Sequence, residues 1–176
     1  GPRFIFPGLG YGGSCFPKDV KALIHSAKEY NYHPRLLTAV EAVNAEQKTT
    51  LVPKIRDYFK GTLSGLTFAI WGLSFKPETD DVRESPAISM IDELLNLGAK
   101  IKAYDPKAMA NAQKFYQDRI VFAAKDYDAL ENADALIIAT EWKQFRSPDY
   151  ARMRQLLKNP VIFDGRNILN REELKR

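Results

Sequence analysis

The segment Tyr11–Asp19, Tyr-Gly-Gly-Ser-Cys-Phe-Pro-Lys-Asp, contains the only cysteine of the chain. Ser14 or Cys15 is placed to cap a helix, and Pro17 suits the first turn of that helix. A thiol at a helix N-terminus is stabilised as the thiolate by the free backbone amides. The surrounding glycines leave a bare backbone that a ligand can approach closely. They are Gly8, Gly10, Gly12 and Gly13.

Two charged residues extend this pattern. Lys18 brings positive charge three residues after Cys15, and Asp19 shares a helix face with the thiol if the helix begins early. A thiol beside a carboxylate and a glycine-rich wall favours nucleophilic catalysis on a bound substrate. The alternative at this point is a small buried cysteine with a packing role alone.

The elements that position this segment come next along the chain. The apolar spacing predicts a helix from Pro17 to Tyr30 and a long one over residues 35–59. A helix of about 25 residues reaches about 37 Å, long enough to connect two domains. Pro53 removes one helix hydrogen bond, so we expect a kink or a break there.

From Leu66 onward, short β-rich runs alternate with helical patterns. Strands are expected at 66–72, 100–104, 119–123, 135–139 and 160–164. Helices are expected at about 85–97, 107–116, 126–132 and 148–158. Continuous apolar runs are typical of parallel strands covered on both faces. The predicted fold class is therefore α/β, a long connecting helix followed by a doubly wound, Rossmann-like and mainly parallel sheet.

The composition argues against several classes of protein function. With 45% hydrophobic and 27% charged residues, the chain has the balance of a globular protein, and no apolar run approaches a membrane span. The net charge is +4, but the basic residues are scattered among 22 acidic ones, which argues against a nucleic-acid partner. A working thiolate needs a reducing compartment, so a cytoplasmic location is expected. No metal site is predicted.

The predicted sheet offers a second place for chemistry. Ligands bind at the carboxyl ends of parallel strands, and this rule places Phe75, Lys76, Arg83 and Glu141 near one crevice. The two cations suit phosphate and Phe75 suits a base or sugar, although solvated surface residues remain the alternative. The run after the first strand keeps Gly72 but lacks the second and third glycines of a dinucleotide fold. Asp105 is either a ribose-binding acid or part of a turn.

Several blocks of this chain resemble one family, the UDP-glucose 6-dehydrogenases. The segment Phe4–Lys21 is similar to the family's catalytic-cysteine segment, and Trp71–Pro86 is similar to its C-terminal nucleotide-sugar motif. The further matching blocks are Leu37–Gln47, Tyr104–Pro106, Ala139–Trp142 and Phe163–Asn167. The blocks follow in the family's order over nearly the whole chain, which makes the resemblance specific.

The resemblance implies a four-electron oxidation of UDP-glucose to UDP-glucuronate with two molecules of NAD⁺. Cys15 is then the nucleophile that holds the aldehyde as a thiohemiacetal and later as a thioester. Asp19 positions or deprotonates water, and Lys18 favours the thiolate or contacts cofactor phosphate. Cys15, Phe16, Lys18 and Arg83 border the NAD site. GDP-mannose 6-dehydrogenase chemistry remains an alternative, as does a non-catalytic nucleotide-binding or dimerisation module.

The resemblance also implies a substrate site. Its expected members are Phe4, Phe6, Gly8, Gly10, Tyr11, Gly12, Gly13, Phe75, Lys76 and Arg166. Phe6 departs from relatives that carry a polar or basic residue there. Residues 1–60 are expected to form the cysteine loop and dimerisation helices, and residues 61–176 the UDP-binding domain. The chain is then the C-terminal part of a dehydrogenase without its N-terminal NAD-binding domain, inactive alone and homodimeric.

Overall fold

The computed structural model describes residues 7–174 and, at Arg171, the backbone alone. Within this range, five parallel strands form one sheet in the order β3-β2-β1-β4-β5. The strands are β1 Thr67–Trp71, β2 Lys100–Tyr104, β3 Val121–Phe122, β4 Ala135–Ile138 and β5 Ile162–Asp164. The sheet reverses its order between β1 and β4, as in a doubly wound fold. The expected α/β class and parallel sheet are confirmed.

Helices precede the sheet and cover both of its faces. They are α1 Phe16–Glu29, α2 Arg35–Thr49, α3 Leu51–Tyr58, α4 Pro86–Asn96, α5 Met109–Tyr116, α6 Tyr150–Leu156 and α7 Arg171–Leu174. The helix expected over 126–132 is a short 3₁₀ helix, Tyr127–Leu130. Asp126 accepts the Tyr127 N–H with its side chain, and Asn132 adopts a positive φ of 57°. These two residues limit the segment to a single turn.

The long helix breaks earlier than expected. α2 ends at Thr49 and α3 begins at Leu51, while Thr50 between them keeps a near-helical φ of −57° and ψ of −28°. Pro53 lies inside the first turn of α3, a position where the helix that begins at Leu51 needs no N–H from it. Because proline deprives the carbonyl four residues earlier of its donor, the interruption falls near Thr49 rather than at Pro53 itself.

Apolar packing stabilises both faces of the sheet. The four residues of β4 and the last four of β1 are all buried. On one face, β1 packs against α3 and α4 through Ile55, Phe68 and Met90. On the other face, Trp71 stacks on Phe145 with 4.9 Å between ring centroids. These contacts fix the carboxyl ends of the strands.

Helices α1 and α2 form a helical arm, residues 16–49, that is packed much more openly. Along α2, which is described throughout, the buried side chains are Asn44 and Lys48. Six large apolar or aromatic side chains of the arm are exposed: Phe16, Leu23, Tyr30, Tyr32, Leu36 and Val43. Within residues 7–174, no helix is both long and apolar enough to cross a membrane.

Candidate functional site

The glycine strap, residues 8–13, lies between α2 and the loops at the carboxyl edge of the sheet. Gly8 faces the Arg166 guanidinium. A β-carbon at residue 12 would clash with the Glu84 carbonyl, and one at Gly13 would lie 2.8 Å from the Phe75 ring. Gly13 also has a φ of +91°, which disfavours any side chain. The bare backbone is therefore required for close packing on the loop between β1 and α4.

Polar side chains of α2 hold the strap from the other side. Asn44 accepts the Tyr11 N–H at 2.8 Å and donates to the Tyr11 carbonyl at 3.2 Å, and its side chain also faces Gly10. Gln47 donates to the Gly8 carbonyl at 2.6 Å. Buried backbone groups that would otherwise lack partners are satisfied in this way. Sequence reasoning missed Asn44 and Gln47, because polar residues on a helix usually mark its solvated face.

Tyr11 is held by its ring and by its hydroxyl. The hydroxyl donates to the carboxylate of Glu41 on α2, and the ring meets Phe16 edge-on with centroids 4.6 Å apart. Burial, followed by the hydrogen bond to Glu41, raises the pKa of Tyr11 to about 12. Tyr11 therefore stays a neutral donor at physiological pH. It connects the strap, α1 and α2.

Cys15 lies at the end of the strap, immediately before α1. Its carbonyl accepts the Asp19 N–H at 2.8 Å, so the helix starts directly at the thiol as expected. The side chain is exposed, with Sγ 3.7 Å from the Ser14 hydroxyl. This exposure argues against a small buried cysteine with only a packing role. The thiol instead stands at the positive end of a 14-residue helix.

Lys18 and Asp19 lie on the first turn of α1, close to the thiol in sequence. Lys18 Nζ is 3.3 Å from Asp19 Oδ1, and both side chains are largely exposed. An exposed pair of this kind contributes little to stability. Both groups are thus free to exchange this mutual contact for a ligand, a water or a cofactor group.

The loop between β1 and α4 contacts the strap. Phe75 packs beneath Gly13, and Lys76 Nζ lies 5.3 Å from the Phe75 ring centroid. The exposed Arg83 pairs with Asp81 at 2.9 Å, and its carbonyl accepts the Gly13 N–H at 2.8 Å. The pKa of Arg83 is raised, chiefly by the hydrogen bond to Asp81.

A cleft of about 560 Å³ opens beside the strap at the carboxyl ends of β1, β4 and β5. Its lining residues are Pro77, Glu78, Glu141, Lys143, Arg146, Arg166 and Ile168. Arg166 Nε is 2.7 Å from Glu141 Oε2. The volume is that of a small-molecule site, and the excess of cations suits a phosphorylated ligand. Of the four residues expected at one crevice, Glu141 lines this cleft, whereas Phe75, Lys76 and Arg83 lie outside its lining. The sequence analysis missed Lys143 and Arg146, although both follow Glu141 closely after β4.

Asp105 is a structural residue. One carboxylate oxygen accepts the N–H groups of Lys107 and Ala108, which forms the turn after β2. The other accepts the N–H groups of Leu73 and Ser74 and the indole N–H of Trp142. The amides after β1, which bind pyrophosphate in dinucleotide folds, are therefore already used within the chain. Of the two roles open for Asp105, the structure supports the turn.

The fold, the site and the sequence together define the class of protein. A doubly wound parallel sheet carries a cationic cleft at its carboxyl edge, and a strap leads from that cleft to an exposed thiol. The chain matches the UDP-glucose/GDP-mannose dehydrogenase family, with the UDP binding domain at residues 69–171 and the central domain at residues 1–46. The chain belongs to this family.

Individual members of the family are also similar to this chain. The UDP-glucose 6-dehydrogenase of Pseudomonas aeruginosa is 46% identical over 173 residues, which cover 96% of this chain and 38% of that protein. The enzyme of that name from Rhizobium meliloti is 40% identical, covering 100% and 40%. A UDP-glucose dehydrogenase structure from Pyrobaculum islandicum superposes with a TM-score of 0.83 at 34% identity, covering 96% and 37%. This chain thus spans about two fifths of its curated relatives.

Proposed function

We propose that this chain is the cysteine-bearing and nucleotide-sugar-binding part of an NAD-dependent UDP-glucose 6-dehydrogenase. The observation that carries the proposal is the glycine strap. It contacts Arg166 of the cleft at Gly8, and the exposed thiol of Cys15 follows two residues after its last glycine, Gly13. A sugar nucleotide seated in the cleft would therefore extend its sugar along the strap toward the sulfur. The relatives named UDP-glucose 6-dehydrogenase support this substrate.

The cleft would hold the nucleotide part of the substrate. Arg166 is a proposed phosphate or ribose contact, and Lys143 and Arg146 add positive charge in the same cleft. Lys76, which lies beside the Phe75 ring and outside the lining of the cleft, is proposed to reach the substrate from the loop between β1 and α4. Phe75 offers an aromatic face beside the strap. The strap amides would contact the sugar. Phe4 and Phe6, also proposed substrate contacts, lie outside the described residues.

Cys15 would perform covalent catalysis in this substrate complex. Its thiolate attacks the sugar aldehyde carbon, and a carbon–sulfur bond forms while the carbonyl oxygen takes up a proton. Loss of the C–H hydride and of the hydroxyl proton from the thiohemiacetal leaves a thioester. Attack by water then breaks the carbon–sulfur bond to give the carboxylate and the thiolate, with release of two protons. The hydride of the thiohemiacetal would pass to bound NAD⁺, and a first NAD⁺ would accept the earlier hydride whose loss from the 6-hydroxymethyl group, together with a hydroxyl proton, gives the aldehyde. Asp19 would orient or deprotonate the water.

The residues around the thiol fit the edge of a nicotinamide cofactor site better than its centre. Lys18 and Arg83 are exposed cations near Cys15, suited to cofactor phosphate, and Phe16 offers an apolar face. The amides after β1 are occupied by Asp105, so the sheet itself is a poor dinucleotide site. We therefore propose that a further domain of a longer enzyme binds most of the cofactor and that residues 1–176 alone are inactive.

The parent enzyme is proposed to be a homodimer that uses the helical arm, because apolar side chains of α1 and α2 remain exposed there. The proposed division places the cysteine segment and the helices in residues 1–60 and the UDP-binding domain in residues 61–176. A reducing, cytoplasmic setting would keep Cys15 as a free thiol.

Replacing the sulfur tests the proposal directly. In the complete natural protein that contains this chain, Cys15→Ser should lower UDP-glucuronate formation at least about 1000-fold, because a hydroxyl is a much poorer nucleophile than a thiolate. Calorimetry should show UDP-glucose binding within about 3-fold of wild type. Ser14→Ala is the matched control and should stay active.

Full-speed uronic acid formation by Cys15→Ser would reject the covalent role of the thiol. The substrate is tested separately by titrating the wild-type protein with UDP-glucose and with GDP-mannose. Tighter binding of GDP-mannose would reject the proposed sugar nucleotide while leaving the cysteine chemistry in place.

A further inference from the structure

We propose that Glu84 is a positioning residue that fixes the thiol-bearing helix α1 relative to the sheet through an ion-pair bridge with Lys21 and Lys48. The proposal rests on the proposed function, because the bridge matters for catalysis only if Cys15 is the nucleophile. The three residues come from different elements: Lys21 from α1, Lys48 from α2 and Glu84 from the loop before α4. We call them the Glu84 bridge.

Two lysine ammonium groups share the carboxylate of Glu84. Glu84 Oε1 is 2.8 Å from Lys21 Nζ, and Glu84 Oε2 is 2.9 Å from Lys48 Nζ. The Lys48 side chain is only 11% exposed, whereas that of Glu84 is 43% exposed. A nearly buried ammonium is strongly unfavourable without an anionic partner. Lys48 therefore holds Glu84 firmly, and Glu84 in turn holds Lys21.

The bridge stays charged under physiological conditions. The hydrogen bonds from Lys21 and then Lys48 lower the pKa of Glu84 to about 2. The bridge is thus a constant structural feature near neutral pH and does not act as a pH switch. The bridge therefore acts on the site by fixing the position of the strap.

The backbone of Glu84 connects the bridge to the glycine strap. Glu84 has a positive φ of 53°, a conformation unfavourable for a residue with a side chain. Its carbonyl lies against Gly12, and the carbonyl of Arg83 accepts the Gly13 N–H at 2.8 Å. Local strain of this kind persists where surrounding contacts fix it. Here the ion pairs fix the side chain of the residue that supports the strap just before Cys15.

The bridge and the cleft are separate contacts on the strap. At its other end, Gly8 faces Arg166 of the cleft, and Gln47 holds the Gly8 carbonyl. Loosening the bridge should therefore shift the thiol while the nucleotide contacts in the cleft remain. A reacting group misplaced by about 1 Å can cost about 100-fold in rate. The expected signature is a lower kcat with a nearly unchanged KM.

The test uses Glu84→Gln in the complete natural protein. We expect kcat for UDP-glucuronate formation to fall by about 10- to 100-fold and KM for UDP-glucose to change by less than about 3-fold. Iodoacetamide should also alkylate Cys15 at a changed rate at fixed pH, because the thiol has moved relative to its neighbours. Asp92→Asn is the matched control, since Asp92 forms an ion pair with Arg119 away from the strap. It should retain wild-type kcat and KM.

Two substitutions of Lys48 separate positioning from folding. Lys48→Arg keeps the charge and should retain most of kcat, whereas Lys48→Met should reproduce the loss seen with Glu84→Gln. If Glu84→Gln does not fold, Lys21→Met removes only the half-exposed pair and should still lower kcat. A proportional loss of kcat, UDP-glucose affinity and thermal stability would show a purely structural role and overturn the proposal.

The outcomes distinguish this inference from the proposed function. Wild-type kcat in Glu84→Gln, together with an inactive Cys15→Ser, would overturn the positioning role alone. A fully active Cys15→Ser would reject the thiol chemistry and the inference that depends on it.

Discussion

The helical arm and the sheet are stabilised in different ways. In the sheet, β1 and β4 bury continuous apolar runs between layers of helices. In the arm, the buried side chains of α2, a helix described along its whole length, are the polar Asn44 and Lys48. Hydrophobic burial thus supplies the stability of the sheet. Directional polar contacts of α2, together with the buried Pro17 and Val20 of α1, position the arm and the thiol next to it.

The contrast has a functional meaning. Polar contacts depend strongly on distance and angle, so they orient a group well while adding little net stability. The thiol can therefore be displaced by changes that leave the sheet folded. The cleft, by contrast, is built on the ends of buried strands and should lose its shape only when the sheet does.

The largest expected effect is on the sheet. Phe68 is fully buried in β1, and Phe68→Ala should lower the free energy of unfolding by about 4 kcal/mol through lost burial and a new cavity. Leu36→Ala, at an arm residue that is 77% exposed, is the control and should change it by less than about 0.5 kcal/mol. Urea denaturation followed by circular dichroism measures both. Similar losses from the two variants would refute the contrast.

A smaller loss is expected at the turn that supports the cleft. Asp105→Ala should destabilise the chain by about 3 kcal/mol, because the N–H groups of Leu73 and Ser74 and the indole of Trp142 lose a buried acceptor. Asp118, on an exposed 3₁₀ turn, provides the comparison. Asp118→Ala should have almost no effect in the same denaturation experiment. An unchanged free energy of unfolding in Asp105→Ala would mean that water replaces the carboxylate as the acceptor.

Sequence patterns predicted the sheet well. The buried apolar runs of β1 and β4 and the turn signals around them located all five strands to within about two residues. The errors arose where a local contact decides the outcome. Asp126 and Asn132 limited one expected helix to a 3₁₀ turn, and the effect of Pro53 appeared one turn earlier in the chain.

The candidate site was predictable in its residue types and less so in its contacts. The glycines and Cys15 stand out in the sequence. The structure places the glycines against the loops at the carboxyl edge of the sheet and Cys15 at the start of α1. Their packing partners do not stand out, because Lys48 and Glu84 are 36 residues apart and each resembles a solvated surface residue. Long-range pairing of charged side chains leaves no local pattern in a sequence.

The acid dependence of stability should reveal the Glu84 bridge. The pKa of Glu84 is lowered from 4.5 to about 2, so its ion pairs stabilise the fold above about pH 4.5 and the benefit is lost as the pH falls toward 2. Because the side chain is 43% exposed, solvent screening limits the benefit to about 1 kcal/mol. Wild type should exceed Glu84→Gln by that amount at pH 6 and lose the advantage near pH 2.5. Urea denaturation at the two pH values measures it, and a constant difference would contradict the bridge.

The smallest effect on stability is expected on the outer face of the arm. Val43 is 63% exposed and lines an apolar groove with Ala39 and Val40. Val43→Ser should change the free energy of unfolding by less than about 0.5 kcal/mol, because the side chain is already in contact with water. Its effect should appear in association. If the arm forms the proposed dimer contact, a polar group there loses apolar burial and weakens the dimer.

Analytical ultracentrifugation of the complete natural protein measures this association. Phe115 is the matched control, since it is 64% exposed on α5, outside the arm. We expect Val43→Ser to raise the dimer dissociation constant by about 10-fold, whereas Phe115→Ser leaves it unchanged. An unchanged constant for Val43→Ser would place the contact elsewhere. The exposed apolar residues of the arm would then have to be covered by another surface, because the polar contacts that hold α2 on the sheet leave this face open.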